Sequence, residues 1–133
     1  MTGAAPLVLL AEDDEDVRAL AELVLRRDGF EVTAVSDGEA ALAAAAERTP
    51  AVAVLDVSMP RMDGLETARR LRERAATSAV PIMLLTARVT EADRERGREA
   101  GVDAQLDKPF SPAVLGERVR ALLDGRPNRG SAR

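Results

Sequence analysis

The chain has 133 residues, of which 46% are hydrophobic and 32% are charged, and it carries a formal net charge of −4 with no cysteine or histidine. This length favours a single domain with its own hydrophobic core. The composition excludes disulfides and thiolate metal sites, and the absence of a basic stripe argues against direct binding of nucleic acid. No apolar run approaches the roughly 20 residues of a membrane span and the first residues lack a signal-peptide pattern, so we expect a cytoplasmic protein that does not bind membranes.

The first predicted elements are a strand and a helix separated by a run of acids. The apolar segment Leu7–Ala11 is typical of a short buried strand. Helical spacing of apolar residues begins at Val17, and Asp14 is a suitable N-cap for that helix. The acids of the first turn interact favourably with the helix dipole. This explains the acids at the helix start, but it leaves Glu12 and Asp13 at the strand end without a local role.

The second and third strands follow with a helix between them. Glu31–Val35 is predicted as a strand, and the spacing from Ser36 to Glu39 predicts a capping box at the start of an alanine-rich helix. The third strand, Val52–Asp56, is apolar until its last residue. A carboxylate at the end of a buried strand is costly unless it has a partner, so Asp56 requires one.

The third helix and the fourth strand repeat these patterns. Asp63 and Glu66 have the capping spacing again, immediately before a helix with an apolar side. Ile82–Leu85 is an apolar run that predicts the fourth strand, and Thr86 ends it.

The last predicted elements differ in polarity. The helix Glu91–Ala100 is polar nearly all round, which is typical of a weakly anchored helix or of an interface. Ala104–Leu106 is predicted as a short fifth strand. Ser111 followed by Pro112 is typical of a helix start, and it opens the last helix.

The alternation of five strands with five helices predicts an α/β fold with a doubly wound parallel sheet and helices on both faces. We assign residues 6–123 to this domain. Residues 124–133 combine Gly, Pro, Asn, Ser and Arg, and we expect a flexible C-terminal tail or linker stub there.

Polar residues follow four of the predicted strands, and parallel strands bring their ends to one edge of the sheet, where ligands of such folds bind. They are Glu12, Asp13, Asp56, Thr86 and Lys108. Lys108 is the single lysine among 19 Lys and Arg residues, which indicates a site that requires a compact ammonium. Three converging carboxylates repel one another unless a cation binds, and an all-oxygen set favours Mg²⁺.

With Lys108 and the Thr86 hydroxyl available to hold a phosphoryl oxygen, Asp56 can act as a nucleophile that forms an aspartyl-phosphate. A phosphatase with an aspartate nucleophile is a weaker alternative, because such enzymes need an acid two residues later, where this chain has Ser58. A non-phosphorylated binding module is a third possibility, although the complete set of polar residues argues against it.

The chain resembles the receiver domain of bacterial two-component response regulators over about Leu7 to Leu123. Four motifs carry the resemblance, and they are specific only in combination. They are Glu12-Asp13 after the first strand, Asp56 with Met59-Pro60 and Asp63-Gly64, Thr86-Ala87, and Lys108-Pro109-Phe110.

The resemblance implies a flavodoxin-like (βα)5 fold with strand order 2-1-3-4-5. It implies that Asp56 accepts a phosphoryl group, and that Glu12, Asp13, Asp56 and the backbone carbonyl of Ser58 hold Mg²⁺ or Mn²⁺. Asp13-Asp14 is the alternative acidic pair, and the count back from the first helix favours Glu12-Asp13.

By the same resemblance Lys108 contacts the phosphoryl group and Lys108-Pro109 is a cis peptide, a form that proline makes accessible. The implied partners are a sensor histidine kinase or phosphotransfer protein, and a downstream effector protein or domain. The implied signalling switch catalyses its own phosphorylation and dephosphorylation. Thr86 then moves toward the phosphoryl group, and the face of the fourth helix, fifth strand and fifth helix rearranges.

The chain departs from the family at two positions and varies at two more. Gln105 stands where the family usually has an aromatic residue that moves with Thr86. Ala104 stands where many DNA-binding relatives carry an acid used in dimer contacts, so we expect a monomer or a weak dimer. Ser58 and Arg88 are tuning positions that flank the site and vary in the family, and we expect Arg88 to affect water access and hence the lifetime of the aspartyl-phosphate.

Overall fold

The computed structural model describes residues 5–87 and 90–125. Strands and helices alternate along the chain, and a short 3₁₀ turn at Ala75–Thr77 follows the third helix. The elements are β1 (Leu7–Ala11), α1 (Glu15–Arg27), β2 (Glu31–Val35), α2 (Gly38–Glu47), β3 (Val52–Asp56), α3 (Gly64–Glu73), β4 (Ile82–Thr86), α4 (Glu91–Ala100), β5 (Ala104–Asp107) and α5 (Pro112–Leu123).

The five strands form one parallel sheet in the order β2-β1-β3-β4-β5, which confirms the predicted fold and strand order. The fifth strand extends one residue further than predicted, to Asp107, which pairs with Thr86. None of the helices within residues 5–87 and 90–125 is long and apolar enough to cross a membrane.

The sheet is buried on both faces, which explains why its central strands are continuous apolar runs. Val8 and Leu10 of β1 belong to the core that also contains buried residues of α1 and α5. Leu9 and Ala11 point the other way, into the core that contains buried residues of α2, α3 and α4. The strand ends are therefore held on both sides by packed helices.

Side chains cap the starts of α1 to α4, whereas the N-cap of α5, Ser111, makes no side-chain capping hydrogen bond. Asp14 accepts hydrogen bonds from the backbone nitrogens of Asp16 and Val17, at 2.9 and 3.1 Å, and so caps α1 as predicted. Thr90 and Asp93 form a complete capping box at the start of α4.

The capping box predicted from Ser36 is wrong. Asp37 is the N-cap of α2, and its carboxylate accepts from the backbone nitrogen of Ala40 at 2.8 Å. The helix starts one residue later than predicted, at Gly38, which packs closely on the loop before α3. A Cβ at position 38 would lie 3.0 Å from the carbonyl oxygen of Met62.

Arg72, near the end of α3, makes hydrogen bonds to several elements at the amino-terminal ends of the strands, on the side of the sheet opposite to the strand-end acids. Its guanidinium donates to the carbonyl oxygens of Gly101 and Val80, at 2.9 and 2.6 Å, and to the carboxylate of Asp103 at 2.9 Å. Asp103 also accepts from the backbone nitrogen of Ile82 at 2.8 Å. The C-terminal end of α4 is thereby fixed to α3 and to the starts of β4 and β5.

Gly64, the first residue of α3, lies directly against the end of β3. Its backbone nitrogen donates to the carbonyl oxygen of Val57 at 3.0 Å, and a Cβ at this position would lie 2.9 Å from the carbonyl carbon of Asp56. Only glycine permits this approach of the helix to the backbone of Asp56.

We expect Gly64→Ala to lower the free energy of unfolding by about 2 kcal/mol, because the added methyl meets rigid backbone. Urea unfolding followed by circular dichroism measures this value. Gly97→Ala is the control, since a Cβ there meets first the far end of the flexible Gln105 side chain, which can shift at the cost of two long hydrogen bonds. Equal losses in the two variants would contradict the prediction.

Candidate functional site

The carboxyl ends of the strands bring the predicted polar residues to one edge of the sheet. Glu12 directly follows β1, Asp56 and Thr86 are the last residues of β3 and β4, and Lys108 directly follows β5. Glu12, Asp56 and Thr86 are buried, whereas Asp13 is exposed and Lys108 is half-buried.

Lys108 bridges the two buried carboxylates. Its Nζ lies 3.2 Å from Oε1 of Glu12 and 3.2 Å from Oδ1 of Asp56. These contacts join residues that are 96 and 52 positions apart in the chain. Each is a charge-assisted hydrogen bond between groups that are shielded from water, so each is stronger than a neutral one.

Glu12 is held at every polar atom. Its backbone nitrogen donates to the carbonyl oxygen of Val35 at 3.1 Å, and its Oε2 accepts from the backbone nitrogen of Asp14 at 3.0 Å. Its carbonyl oxygen accepts from Nη1 of Arg18 at 2.9 Å. The backbone and carboxylate of Glu12 therefore have fixed positions beside Asp56.

Asp56 has one satisfied oxygen and one unsatisfied oxygen. Oδ1 accepts from Lys108 and, at 3.3 Å, from the backbone nitrogen of Ser58. Oδ2 is buried, and no described residue donates a hydrogen bond to it. A buried carboxylate oxygen without a donor is costly, so this atom is suited to bind a cation or to form a bond with a substrate.

Three acidic residues fit a metal ion. Carboxylate oxygens of Glu12, Asp13 and Asp56 all lie within 4.8 Å of one another. Hard oxygen donors without nitrogen or sulfur favour Mg²⁺ over softer metals. Ser58 is exposed in the loop that leaves Asp56, so the assignment of its carbonyl as a further ligand stays a prediction.

The electrostatic environment makes Asp56 unusual. Burial, followed by the neighbouring Glu12, raises the pKa of Asp56 from its ordinary value of 3.8 to about 7, and Lys108 only partly opposes this rise. Burial acts to lower the pKa of Lys108, but the carboxylates of Asp56 and Glu12 outweigh it, so the pKa of the ammonium is raised. One ammonium does not fully compensate two buried carboxylates.

Thr86 and the Lys108–Pro109 peptide lie at the neighbouring ends of β4 and β5. The Thr86 carbonyl accepts from the backbone nitrogen of Lys108 at 2.7 Å, which joins the ends of β4 and β5. The Lys108–Pro109 peptide is cis, as expected. Arg88 lies outside the described residues.

Gln105 faces α4. It pairs with Leu84 in the sheet, and its side-chain nitrogen lies 3.4 Å from the carbonyl oxygens of both Asp93 and Arg94. The amide occupies the space that a Cβ at Gly97 would need. The residue that replaces the family's aromatic therefore makes two long hydrogen bonds to the backbone of α4.

Sequence reasoning missed the contribution of Arg18 to this site. The chain has many arginines, and nothing in the local pattern distinguishes Arg18 from Arg26 on the same helix. The spacing of Arg18 from Glu12 would have been informative only after the strand end and the helix start had been placed.

Residues 8–120 match the family of the response regulator receiver domain. This chain therefore belongs to that family. Among curated proteins, it is 45% identical over 116 residues to the transcriptional regulatory protein CseB of Streptomyces avermitilis, and the match covers 87% of this chain and 48% of CseB. It is 40% identical over 116 residues to the alkaline phosphatase synthesis transcriptional regulatory protein PhoP of Bacillus subtilis, with the same coverage of 87% and 48%. The chain spans about half the length of these relatives.

Solved structures agree with this family. The chemotaxis response regulator CheY4 of Vibrio cholerae superposes with a TM-score of 0.86 at 29% identity, covering 90% of this chain and 99% of CheY4. The receiver domain of the sensor histidine kinase PA1611 from Pseudomonas aeruginosa PAO1 has a TM-score of 0.82 at 34% identity, covering 92% and 99%. That structure has a magnesium ion coordinated in its active site cleft.

The raised pKa of Asp56 predicts how stability depends on pH in a chelating buffer. Between about pH 4 and 7 the unfolded chain loses the proton of residue 56 while the folded chain keeps it, so wild-type stability falls as pH rises. Asp56→Asn removes this loss. Its advantage over wild type grows up to about pH 7 and then levels off.

Urea unfolding at pH 5, 6, 7 and 8 measures this difference. The control is Asp107→Asn, which removes an exposed carboxylate from the same edge of the sheet. An Asp56→Asn advantage that is constant with pH, or that Asp107→Asn reproduces, would contradict the prediction.

Proposed function

We propose that this chain is a phosphorylation-driven signalling switch in which Asp56 accepts a phosphoryl group from a phosphohistidine. The observation that carries the proposal is the position of Asp56, which is buried beside Glu12 and Lys108 and has one oxygen without a donor among the described residues. Membership in the receiver domain family supports the same conclusion.

In the proposed step the P–N bond of the phosphohistidine breaks as a P–O bond forms to a carboxylate oxygen of Asp56. The electron pair of the broken bond stays on the imidazole nitrogen. Lys108 keeps its proton and donates hydrogen bonds to the transferred group, and the Thr86 hydroxyl donates to one of its oxygens. Hydrolysis by water then restores the carboxylate and releases inorganic phosphate.

We propose that Mg²⁺ is held by Glu12, Asp13, Asp56 and the carbonyl of Ser58, with Mn²⁺ as a substitute. When bound, the ion lowers the pKa of Asp56 and offsets the negative charge of the transferring group. The clustering of the three carboxylates supports this assignment. The magnesium ion in the PA1611 receiver domain supports it by similarity.

The phosphoryl group adds roughly −1.5 to −2 charges at the edge of the sheet. We propose that Thr86 moves toward it and that the face formed by α4, β5 and α5 changes in response. The weak attachment of α4 supports this proposal. Its buried positions are Gly97 and Ala100, so within the described residues α4 places no large apolar side chain in a core.

The proposed partners are a sensor histidine kinase or phosphotransfer protein, which supplies the phosphoryl group, and an effector that reads the α4, β5 and α5 face. The relatives CseB and PhoP are named as transcriptional regulatory proteins and are about twice as long as this chain. We propose a receiver unit over residues 6–123 that controls such an effector domain or a separate protein in the cytoplasm.

We expect a small phosphodonor with Mg²⁺ to add about 80 Da, the mass of one phosphoryl group, to the intact chain. A chelator prevents the addition because the repulsion among the carboxylates then remains. Intact mass spectrometry reads the result. Asp56→Asn does not take up the group, and Asp107→Asn takes it up as wild type does. Failure of wild type to gain an Asp56-dependent adduct would favour a binding module that is not phosphorylated.

We expect Gln105→Tyr to change the α4 face more than it changes phosphorylation. A tyrosine cannot reproduce the amide contacts with Asp93 and Arg94, and it is larger than the space beside Gly97. Hydrogen exchange of α4 amides and partner affinity report the face, and the rate of mass gain reports phosphorylation. The double variant with Asp56→Asn separates the effect of the tyrosine from that of the phosphoryl group. A slower mass gain with unchanged α4 exchange and partner affinity would contradict this prediction.

A further inference from the structure

We propose that Arg18 is a positioning residue for the metal-binding turn formed by Glu12 and Asp13, and that its guanidinium raises the affinity of the site for Mg²⁺. The inference rests on the proposed function, because that function assigns the two acids to the metal. The hydrogen bond from Arg18 to the Glu12 carbonyl is the observation behind it.

Arg18 reaches back from α1 to the end of β1. Its Nη1 donates to the carbonyl oxygen of Glu12 at 2.9 Å, and the side chain is half-buried. Hydrogen bonds from a charged donor are roughly twice as strong as neutral ones. Among the described residues, Arg18 is the donor that satisfies this carbonyl, whereas Val35, Asp14 and Lys108 hold the other polar atoms of Glu12.

The bond fixes the peptide unit that leads into Asp13. The carbonyl oxygen of Glu12 and the backbone nitrogen of Asp13 belong to the same planar group, so a rotation of one moves the other. Asp13 is exposed, and no described residue donates a hydrogen bond to its carboxylate. The backbone of the turn therefore sets the direction of the Cα–Cβ bond from which the Asp13 carboxylate extends, and Arg18 holds that backbone.

A positioning role and a simple charge effect predict opposite changes in Mg²⁺ affinity when Arg18 is removed. The positive charge of Arg18 beside the acidic turn repels Mg²⁺, so its removal tightens binding if charge alone matters. If Arg18 positions the turn, its removal weakens binding, because groups that orient metal ligands typically contribute 10- to 100-fold in affinity. The direction of the change in affinity separates the two explanations.

Arg26 provides a matched control on the same helix. Its Nη2 donates to the carbonyl oxygen of Val32 at 2.9 Å, which is the same kind of bond between α1 and a strand, made at the opposite end of the helix. Arg18→Met and Arg26→Met each remove one guanidinium and one such bond and keep most of the aliphatic stem, and Arg26→Met also removes a largely exposed ion pair with Glu22. Loss of stability common to both variants therefore cancels in the comparison.

The experiment titrates MgCl₂ into the wild-type chain and each variant by isothermal titration calorimetry, with circular dichroism to verify folding. We expect Arg18→Met to weaken Mg²⁺ binding about 10-fold and Arg26→Met to leave it within about twofold of wild type. Arg18→Lys retains the charge and one donor, and it recovers part of the affinity. It also replaces Arg18→Met in the comparison if that variant does not fold. Saturating Mg²⁺ restores the rate of phosphorylation of Arg18→Met by a small phosphodonor, because the reacting groups are intact.

The outcomes separate this inference from the proposed function. A wild-type chain that does not bind Mg²⁺ overturns both. A wild-type chain that binds Mg²⁺, beside an Arg18→Met chain that binds it equally well or more tightly, overturns the positioning role alone. An equal loss of affinity in Arg18→Met and Arg26→Met also overturns that role.

Discussion

Two carboxylates and one ammonium meet at the edge of the sheet, and their incomplete charge balance governs the rest of the site. Glu12 and Asp56 are buried and share Lys108, with each contact at 3.2 Å. Two like charges about 4 Å apart cost about 4 kcal/mol at an effective dielectric of 20, and one cation cannot cancel both. The burial that raises the pKa of Asp56 thus also leaves negative charge that a second, divalent cation can offset.

The strand order makes this concentration of charge possible. β1 and β3 are neighbours in the sheet, and the chain crosses from one half of the sheet to the other between them. In sheets of this kind, the crevice at that switch in order is where ligands bind. Gly64 brings α3 against the backbone of Asp56, so that the end of β3 is packed closely as well as charged. The end of β3 therefore contributes both to the packing of the fold and to the chemistry of the site.

The fold and the identity of the strand-end residues were accessible from the sequence because both depend on local patterns. Four of the five predicted strands were followed by, or ended in, the polar residues of the site, and parallel topology required those ends to meet. The start of α2 was predicted wrongly, since Ser36 and Asp37 are both good caps and the local pattern does not select between them. The role of Arg18 was inaccessible for the same reason, because its partner is a backbone atom brought close by tertiary structure.

The weak attachment of α4 is relevant to how a change at the site could be transmitted to the face formed by α4, β5 and α5. Arg72 fixes the C-terminal end of the helix at Gly101, whereas Gln105 contacts its first turns through two bonds of 3.4 Å. Bonds of this kind contribute about 1 kcal/mol each at most. Inverting a two-state equilibrium from 1:99 to 99:1 requires about 5.5 kcal/mol. In the proposed switch, the two Gln105 contacts therefore contribute less than such an inversion requires, and they do not hold α4 in one position.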